Sequence, residues 1–412
     1  MFSTDIAVIG AGASGLFAAI AAAREAEKLR KKITVSVFEA NSRVGKKILV
    51  TGNGRCNFTN ENICPANFHG EEELAFRVYS DFDNIKTLGF FKSIALFPKS
   101  DFAGRVYPMS NQATAVLDAL RCELSRLGIR EITDTKITSL EKQGSGFILN
   151  GNIKAKCCIL ATGGKAAAVQ GSDGSGFLLL QKSGVSTTPL YPALVPLVCE
   201  GFPKSLKGIR AQGRIAIRHQ GKILCEDTGE IQYTEYGLSG IPSMQVSRFV
   251  SHALAEKKGD VIAVVDSCPS LTKEELYGVF SGIIENNPTM SCELLLAGLL
   301  PKRLGATLLS DCSVNPSMEA GKLHFAVIEK IIGAVKNKKY KVSAVKGFND
   351  AQVTTGGIPA SEINGNTLEL KKIKGLFVAG EIIDVDGDCG GYNLQWAWSS
   401  GYKAGCNAVR EI

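Results

Sequence analysis

Histidine is scarce in this chain of 412 residues: four occur, His69, His219, His252 and His324. No two stand at metal-ligand spacing, so no metal site is expected. The twelve cysteines are irregularly spaced and form no C-x-x-C, so the usual signature of a redox dithiol is missing. No basic segment precedes the first apolar run, which opens on Asp5, and this argues against a signal peptide. The cysteines then read as reduced thiols of a cytoplasmic protein. Long basic blocks and basic–aromatic tracts are also missing. A net charge of +7 therefore suits an anionic cofactor and argues against nucleic acid as a partner. The densest basic run, Lys336 to Lys341, reads as a solvated helix end and turn. There are no repeats or low-complexity stretches. With 45% hydrophobic and 21% charged residues, the chain is globular and long enough for two or three domains.

What is present begins at once. Ile6 to Ile9 is an apolar run that reads as a buried parallel strand, followed by Gly10-Ala-Gly12-Ala13-Ser14-Gly15. Three glycines at this spacing have separate duties: a tight strand-to-helix turn, close approach of backbone to a pyrophosphate, and close packing of helix on strand. The helix that follows points its positive end at the phosphates. A second apolar run, Ile33 to Phe38, ends on Glu39, about where an acid grips a ribose hydroxyl. Ile6 to Ala23 carries no charge over roughly the shortest membrane-spanning length, but glycines interrupt it, so no membrane span is expected.

Further on, Asn41 to Asn57 is a long polar, glycine-rich loop of the kind that carries function. Residues 113–127 have the pattern of an amphipathic helix. Strand signals run from 129 to 160, with a turn near Gln143 to Gly146. Lys156 to Gly164 reads as a buried strand and a glycine turn, with Cys157 and Cys158 in the core. Residues 191–270 alternate short strand-like runs with Gly and Pro, a β-rich, barrel-like module. Residues 271–341 are helical in pattern, with Leu294 to Leu300 as a core stripe. The last segment, Gly375 to Gly401, reads strand, glycine-rich turn, helix. Dinucleotide-type segments thus bracket the chain, giving a bipartite domain of residues 1–190 and 342–412. Bracketing suits FAD, which is held at both ends. Gly390-Gly391 before Leu394-Gln395 supplies a second helix start, whose dipole would stabilise negative charge on a reduced flavin ring.

Together, Gly10–Gly15, Arg43-Val-Gly-Lys46-Lys, Thr51-Gly-Asn-Gly54-Arg55-Cys56-Asn57, Ala161-Thr162-Gly163-Gly164, Thr354-Thr-Gly-Gly-Ile358, Gly380-Glu381 and Gly390-Gly391-Tyr392-Asn393-Leu394-Gln395-Trp396 resemble the YhiN-type bacterial flavoproteins. That family includes aminoacetone oxidase-like enzymes and BaiN-like reductases linked to bile-acid metabolism. The resemblance covers essentially the whole chain. It implies an α/β fold: a glutathione-reductase-like FAD-binding Rossmann domain, interrupted by an inserted β-barrel-like module and a helical module. It further implies that Glu39 and Ala40 meet the adenosine ribose and that Arg43 and Lys46 lie along the cofactor. Thr51 to Asn57 would pass near the flavin, and the Ile137 backbone would meet the adenine. Ala161 and Thr162, with Gly163 beside them, would line the pyrophosphate end. Gly380, Glu381 and Asp384 would cover the ribityl chain, and Gly391 to Gln395 the pyrimidine edge. The inserted module departs from the family pattern at Gly237-Leu-Ser-Gly240-Ile-Pro242, where Gly-Leu-Ser-Gly-Pro is common.

Single residues leave alternatives open. Cys56 and Cys389 are either redox thiols or small residues packed against the ring. Arg55 either faces flavin or substrate, or pairs with Asp384 or Asp386. Tyr236 is either a proton donor or a barrel residue, and Trp396 and Trp398 read as helix packing. The function expected is an FAD-dependent oxidoreductase acting on a small organic substrate. The reaction is amine oxidation, or C=C reduction with NADPH or NADH as a transient donor, since no second complete G-x-G-x-x-G occurs. The rivals are a tRNA-modifying flavoprotein and a non-catalytic FAD-binding protein. Oligomeric state is not legible.

Overall fold

The computed structural model describes residues 2–412. The chain divides into two compact units, one closing with Tyr191 and resuming at Gln352–Ile412, the other Pro192–Ala351.

The first unit is built on a seven-stranded sheet. Phe2–Ile9 pairs in parallel with Val35–Phe38 on one side and Ile153–Leu160 on the other. Arg130–Ile132 extends the sheet beyond Val35–Phe38, and Leu376–Val378 pairs in parallel with Cys158–Leu160. Parallel strands are covered on both faces, which is why these runs are apolar without alternation. A hairpin, Leu140–Gln143 and Gly146–Leu149, is laid antiparallel against the start of Ile153–Leu160. The turn expected near Gln143 to Gly146 is this hairpin, and the helix expected at 113–127 is Ala113–Arg126. Cys157 and Cys158 are buried in the core, as expected.

Two helices that lie far apart in sequence pack against each other in this unit, Ala13–Leu29 and Tyr392–Glu411. Small residues let them approach. A Cβ on Gly401 would lie 2.6 Å from the Ser14 carbonyl oxygen, and one on Gly405 would strike the Ala18 carbonyl. Trp396 and Trp398 are buried, their indole N–H groups donating to the carbonyls of Gly380 (3.0 Å) and Phe58 (2.7 Å). They are packing residues, as read from the sequence.

The second unit holds a closed barrel of six strands: Leu197–Cys199, Gly237–Ser239, Lys222–Tyr233, Arg210–His219, Val261–Asp266 and Lys338–Val345, the last returning to the first. Helices Lys273–Asn286, Cys292–Ala297, Lys302–Asp311 and Phe325–Lys336 share one apolar cluster with the barrel.

Four readings of the sequence change here. Residues 342–351 belong to the second unit, because Lys338–Val345 closes the barrel. The barrel and the helices, read as two modules, lie within one compact unit. Ile241–Glu256, read as part of a strand-rich stretch, is a helix opened by Pro242 in its first turn, where a missing N–H costs nothing. The basic run at Lys336 is not a solvated turn: Lys336 Nζ lies 2.8 Å from Asp266 and donates to the Cys268 and Leu271 carbonyls. In the leucine stripe, Leu295, Leu296 and Leu300 are buried but Leu294 is exposed.

Candidate cofactor and active site

The glycine turn has the geometry that its spacing implies. Gly10 has φ +100°, and a Cβ there would lie against the Ala161 carbonyl, so only glycine fits. Gly15 packs directly on the Gly10 carbonyl, whereas nothing lies within 4 Å of a Cβ on Gly12. Backbone is therefore open to a ligand at the middle glycine. Helix Ala13–Leu29 starts there without a side-chain cap, leaving its first N–H groups and its positive end to an anion.

Glu39 is buried at the end of its strand. One carboxylate oxygen accepts the Ala11 N–H (3.0 Å); the other accepts the N–H and side-chain amide of Asn41 (2.9 and 2.6 Å). A carboxylate has about four acceptor sites, so it keeps capacity for a hydroxyl. Lys46 Nζ donates to Asn41 Oδ1 (2.9 Å) and so ties the following loop to this corner. Ala40 and Arg43 are exposed beside it. The Ile137 side chain is in the core, and its backbone has no hydrogen-bond partner among the described residues.

The later segments converge on the same turn. Gly380, φ +78°, lies against the Ser14 side chain, and its N–H donates to Ser400 Oγ (2.9 Å). Glu381 pairs with Lys47 (2.7 Å) and accepts the Thr354 N–H (2.8 Å). Thr354 Oγ1 accepts the N–H groups of Lys165 and Ala166, fixing the loop after Ala161-Thr162-Gly163. Asp384 accepts from the Thr188 hydroxyl (2.7 Å).

The loop at Thr51 to Asn57 is tightly wound. Gly52, Asn53, Gly54 and Cys56 all have positive φ. Cys56 is fully buried, and burial pushes its thiol up to about 12 against a hydrogen bond with Thr51, so it is a neutral packed group. Arg55 donates to the Gly52 carbonyl (3.2 Å), and its guanidinium lies 4.7 Å over the Tyr107 ring. That stack is the partner found for it.

Helix Tyr392–Glu411 begins at Gly391, φ +103°, again without a side-chain cap. A Cβ on Gly391 would lie 2.8 Å from Asn57 Oδ1, so the two loops meet. Asn60 holds the Gly390 carbonyl (2.8 Å), and Asn393 holds both backbone groups of Gly387. Leu394 packs on the core and Tyr392 donates to the Asn62 carbonyl (3.3 Å). The Gln395 side chain is not available to a ligand: it is fully buried and bonded to Thr59, Phe82 and Ser399. Sequence reading missed Asn41, Lys47, Asn60, Tyr107 and Thr354. Lys47 and Thr354 stand inside the motifs quoted for the resemblance and Asn41 opens the polar loop read as functional; nothing local marks Asn60 or Tyr107.

Two buried oxygens on these surfaces have no partner among the described residues, Asn57 Oδ1 and Thr162 Oγ1. Leaving such groups unpaired costs about 1–3 kcal/mol each. The pyrophosphate of FAD suits the open turn at Gly12, and its hydroxyls suit the spare acceptor capacity of Glu39. No group of His, Cys, Asp or Glu able to hold a metal ion occurs among the described residues. No helix among them is long and apolar enough to cross a membrane.

A Rossmann-type domain with an open glycine turn, a placed acid and a second uncapped helix start defines an FAD-dependent oxidoreductase. The comparisons with known proteins agree. Residues 4–407 match the HI0933-like protein Rossmann domain, and the chain belongs to that family. It is 40% identical over 405 residues, covering 97% of this chain and 98% of the other, to a 3-dehydro-bile acid delta(4,6)-reductase of Clostridium scindens. It is 26% identical over 417 residues, 98% of each chain, to a ribosomal RNA dihydrouridine synthase of Haemophilus influenzae. A solved 3-ketosteroid delta1-dehydrogenase from Sterolibacterium denitrificans shares the fold at 12% identity, with TM-score 0.50 over 100% of both chains.

Proposed function

We propose that this protein reduces a carbon–carbon double bond conjugated with a carbonyl in a small organic substrate, with NADPH or NADH as transient donor. The observation that carries this reading is the 40% identity, along nearly the whole of both chains, to a protein named as a delta(4,6)-reductase of 3-dehydro bile acids. The more distant relative named as a dihydrouridine synthase fits the same chemistry, because the double bond removed from uridine also lies next to a ring carbonyl.

FAD, when bound, supplies two-electron hydride chemistry. In balance, the nicotinamide loses a hydride, and the alkene gains that hydride and one proton from solvent. The chain's part is to bind and orient. Glu39, held by Ala11 and Asn41, would accept ribose hydroxyls; Lys46, Arg43 and Ala40 border that end, with the Ile137 backbone at the adenine. Gly12 to Gly15 and Ala161 to Gly163 would hold the pyrophosphate, and Gly380, Glu381 and Asp384 the ribityl chain. Thr51 to Asn57 and the helix start at Gly391 would flank the ring, where the helix dipole favours negative charge.

The test is spectroscopic. Protein incubated with FAD is made anaerobic, NADPH or NADH is added, and a 3-oxo steroid with conjugated ring double bonds follows. Bleaching of the visible flavin bands by nicotinamide and their return on adding the steroid are expected. Bands bleached by a primary amine but by neither nicotinamide would replace the reading with amine oxidation. Bands that none of these bleaches would leave FAD a structural role. Recovery with a uridine-containing RNA but not with the steroid would move the substrate to RNA.

A further inference from the structure

The hairpin Pro98–Ser100 and Arg105–Pro108 stands beside the loop that begins at Thr51. Its register pairs Pro98 with Pro108, Lys99 with Tyr107 and Ser100 with Val106. Alternation along the strands places Lys99 and Tyr107 on one face. Phe97 and Met109, joined by a backbone hydrogen bond of 2.7 Å, extend that same face. Tyr107 is the inner end of the row: a Cβ on Gly52 would lie 3.3 Å from its ring, and Arg55 covers it. The Phe58 N–H, next to Asn57, donates to the carbonyl of Val106, the residue before Tyr107 (2.9 Å). The row therefore runs outward from the point where the two flavin-side loops meet.

Its outer members are bare. Phe97 is 65% exposed and Met109 62%. Large apolar side chains grouped in this way mark binding surfaces rather than ordinary surface. The charges are arranged to match. Asp101 is tied to Arg105 (2.9 Å), and Glu61 is engaged by the Ser100 hydroxyl. Arg55 and Lys99 have no carboxylate partner among the described residues.

We infer that this face is a substrate subsite, and that it takes the non-reacting body of the substrate: a fused-ring apolar skeleton carrying one carboxylate. The inference rests on the reduction proposed above. Phe97 and Met109 supply the apolar shelf, and Arg55 and Lys99 the countercharge. A nucleic acid strand fits less well, since phosphate recognition relies on a track of several cations and this face offers two.

Cholate is the probe, having the ring skeleton and carboxylate but no conjugated double bond. Its binding to the FAD-loaded protein is measured by calorimetry, without turnover. The variants are Phe97→Ser with Met109→Ser, and Lys99→Gln. The double variant should weaken cholate binding about tenfold, the scale of one buried large apolar side chain. Lys99→Gln should reduce the preference for cholate over the corresponding uncharged alcohol, Arg55 keeping the remainder. FAD content and melting temperature, measured in parallel, separate a lost subsite from a damaged fold. Unchanged cholate binding in both variants, or no cholate binding at all, overturns the subsite. So does salt-sensitive binding of a uridine oligonucleotide that Lys99→Gln weakens while cholate does not bind. So does a dimer in solution that the double variant dissolves. Because no turnover is read, failure of the reduction in the spectroscopic test leaves a distinct signature: cholate bound normally and a flavin that passes electrons to no conjugated alkene.

Discussion

Lys47 and Glu381 lie 334 residues apart in sequence and 2.7 Å apart in space. Glu381 also accepts the Thr354 N–H, and Thr354 carries the loop after Gly163. One carboxylate thus joins three segments around the candidate cofactor. Lys47→Met should lower stability by about 1–3 kcal/mol, the cost of leaving a mostly buried charge without its partner, and should loosen FAD retention. Urea denaturation with and without added FAD checks both effects; equal midpoints for variant and parent would refute them.

Glu39→Gln keeps an acceptor oxygen for either Ala11 or Asn41 but not for both, so a stability loss of about 1–3 kcal/mol is expected with the fold retained. Removal of the charge should weaken FAD binding by about 10- to 100-fold, matching the 1.5–3 kcal/mol of a charged hydrogen bond. Flavin left in the filtrate after ultrafiltration measures the change.

Gly391→Ala meets two obstacles. Its φ is +103°, and the new Cβ would strike the Thr59 carbonyl as well as crowding Asn57. A loss of at least about 2 kcal/mol is expected from strain and displacement together. Thermal unfolding should show it, along with a shifted flavin spectrum, since this residue starts the helix beside the proposed ring position.

Glu362 provides a pH test. The Ser186 hydroxyl and Lys372 hold its carboxyl down from 4.5 to about 2. A carboxyl depressed on folding contributes stability that is present above the unfolded pKa and lost as pH falls through the folded one. The gap in melting temperature between the parent and Glu362→Gln should therefore be constant above about pH 5 and shrink from there towards pH 2. A gap that widens on acidification would contradict the assignment.

Thiol labelling separates the cysteines. Cys64 and Cys122 are exposed, whereas Cys56 is buried with its thiol pushed up to about 12. Iodoacetamide at pH 8 should modify Cys64 and Cys122 in the native protein and reach Cys56 only after unfolding. Mass spectrometry of tryptic peptides gives the answer.

The first strand, the glycine turn and Glu39 were legible because each depends on a few neighbouring residues: an apolar run, a spacing and an acid. Helix Tyr392–Glu411 was legible for the same reason. Pairings across hundreds of residues were not. Nothing around Lys47 announces Glu381, and nothing around Asn57 announces that its amide will face Gly391. Gln395 illustrates the opposite failure. It stands in the most distinctive motif of the chain, yet its side chain is consumed by Thr59, Phe82 and Ser399. The end of the barrel was misplaced because Lys338–Val345 alternates like any half-buried strand, and alternation does not say which sheet a strand will join.

The close contact of Ala13–Leu29 with Tyr392–Glu411 also sets a timetable. At ordinary elongation rates the ribosome needs on the order of tens of seconds to make what lies between them. Throughout that interval the nascent glycine turn has been synthesised but its covering helix has not. The whole barrel unit, Pro192–Ala351, emerges in the meantime and can fold first. Until Tyr392–Glu411 has been made, the barrel unit can be complete while the proposed cofactor site still lacks its second helix start.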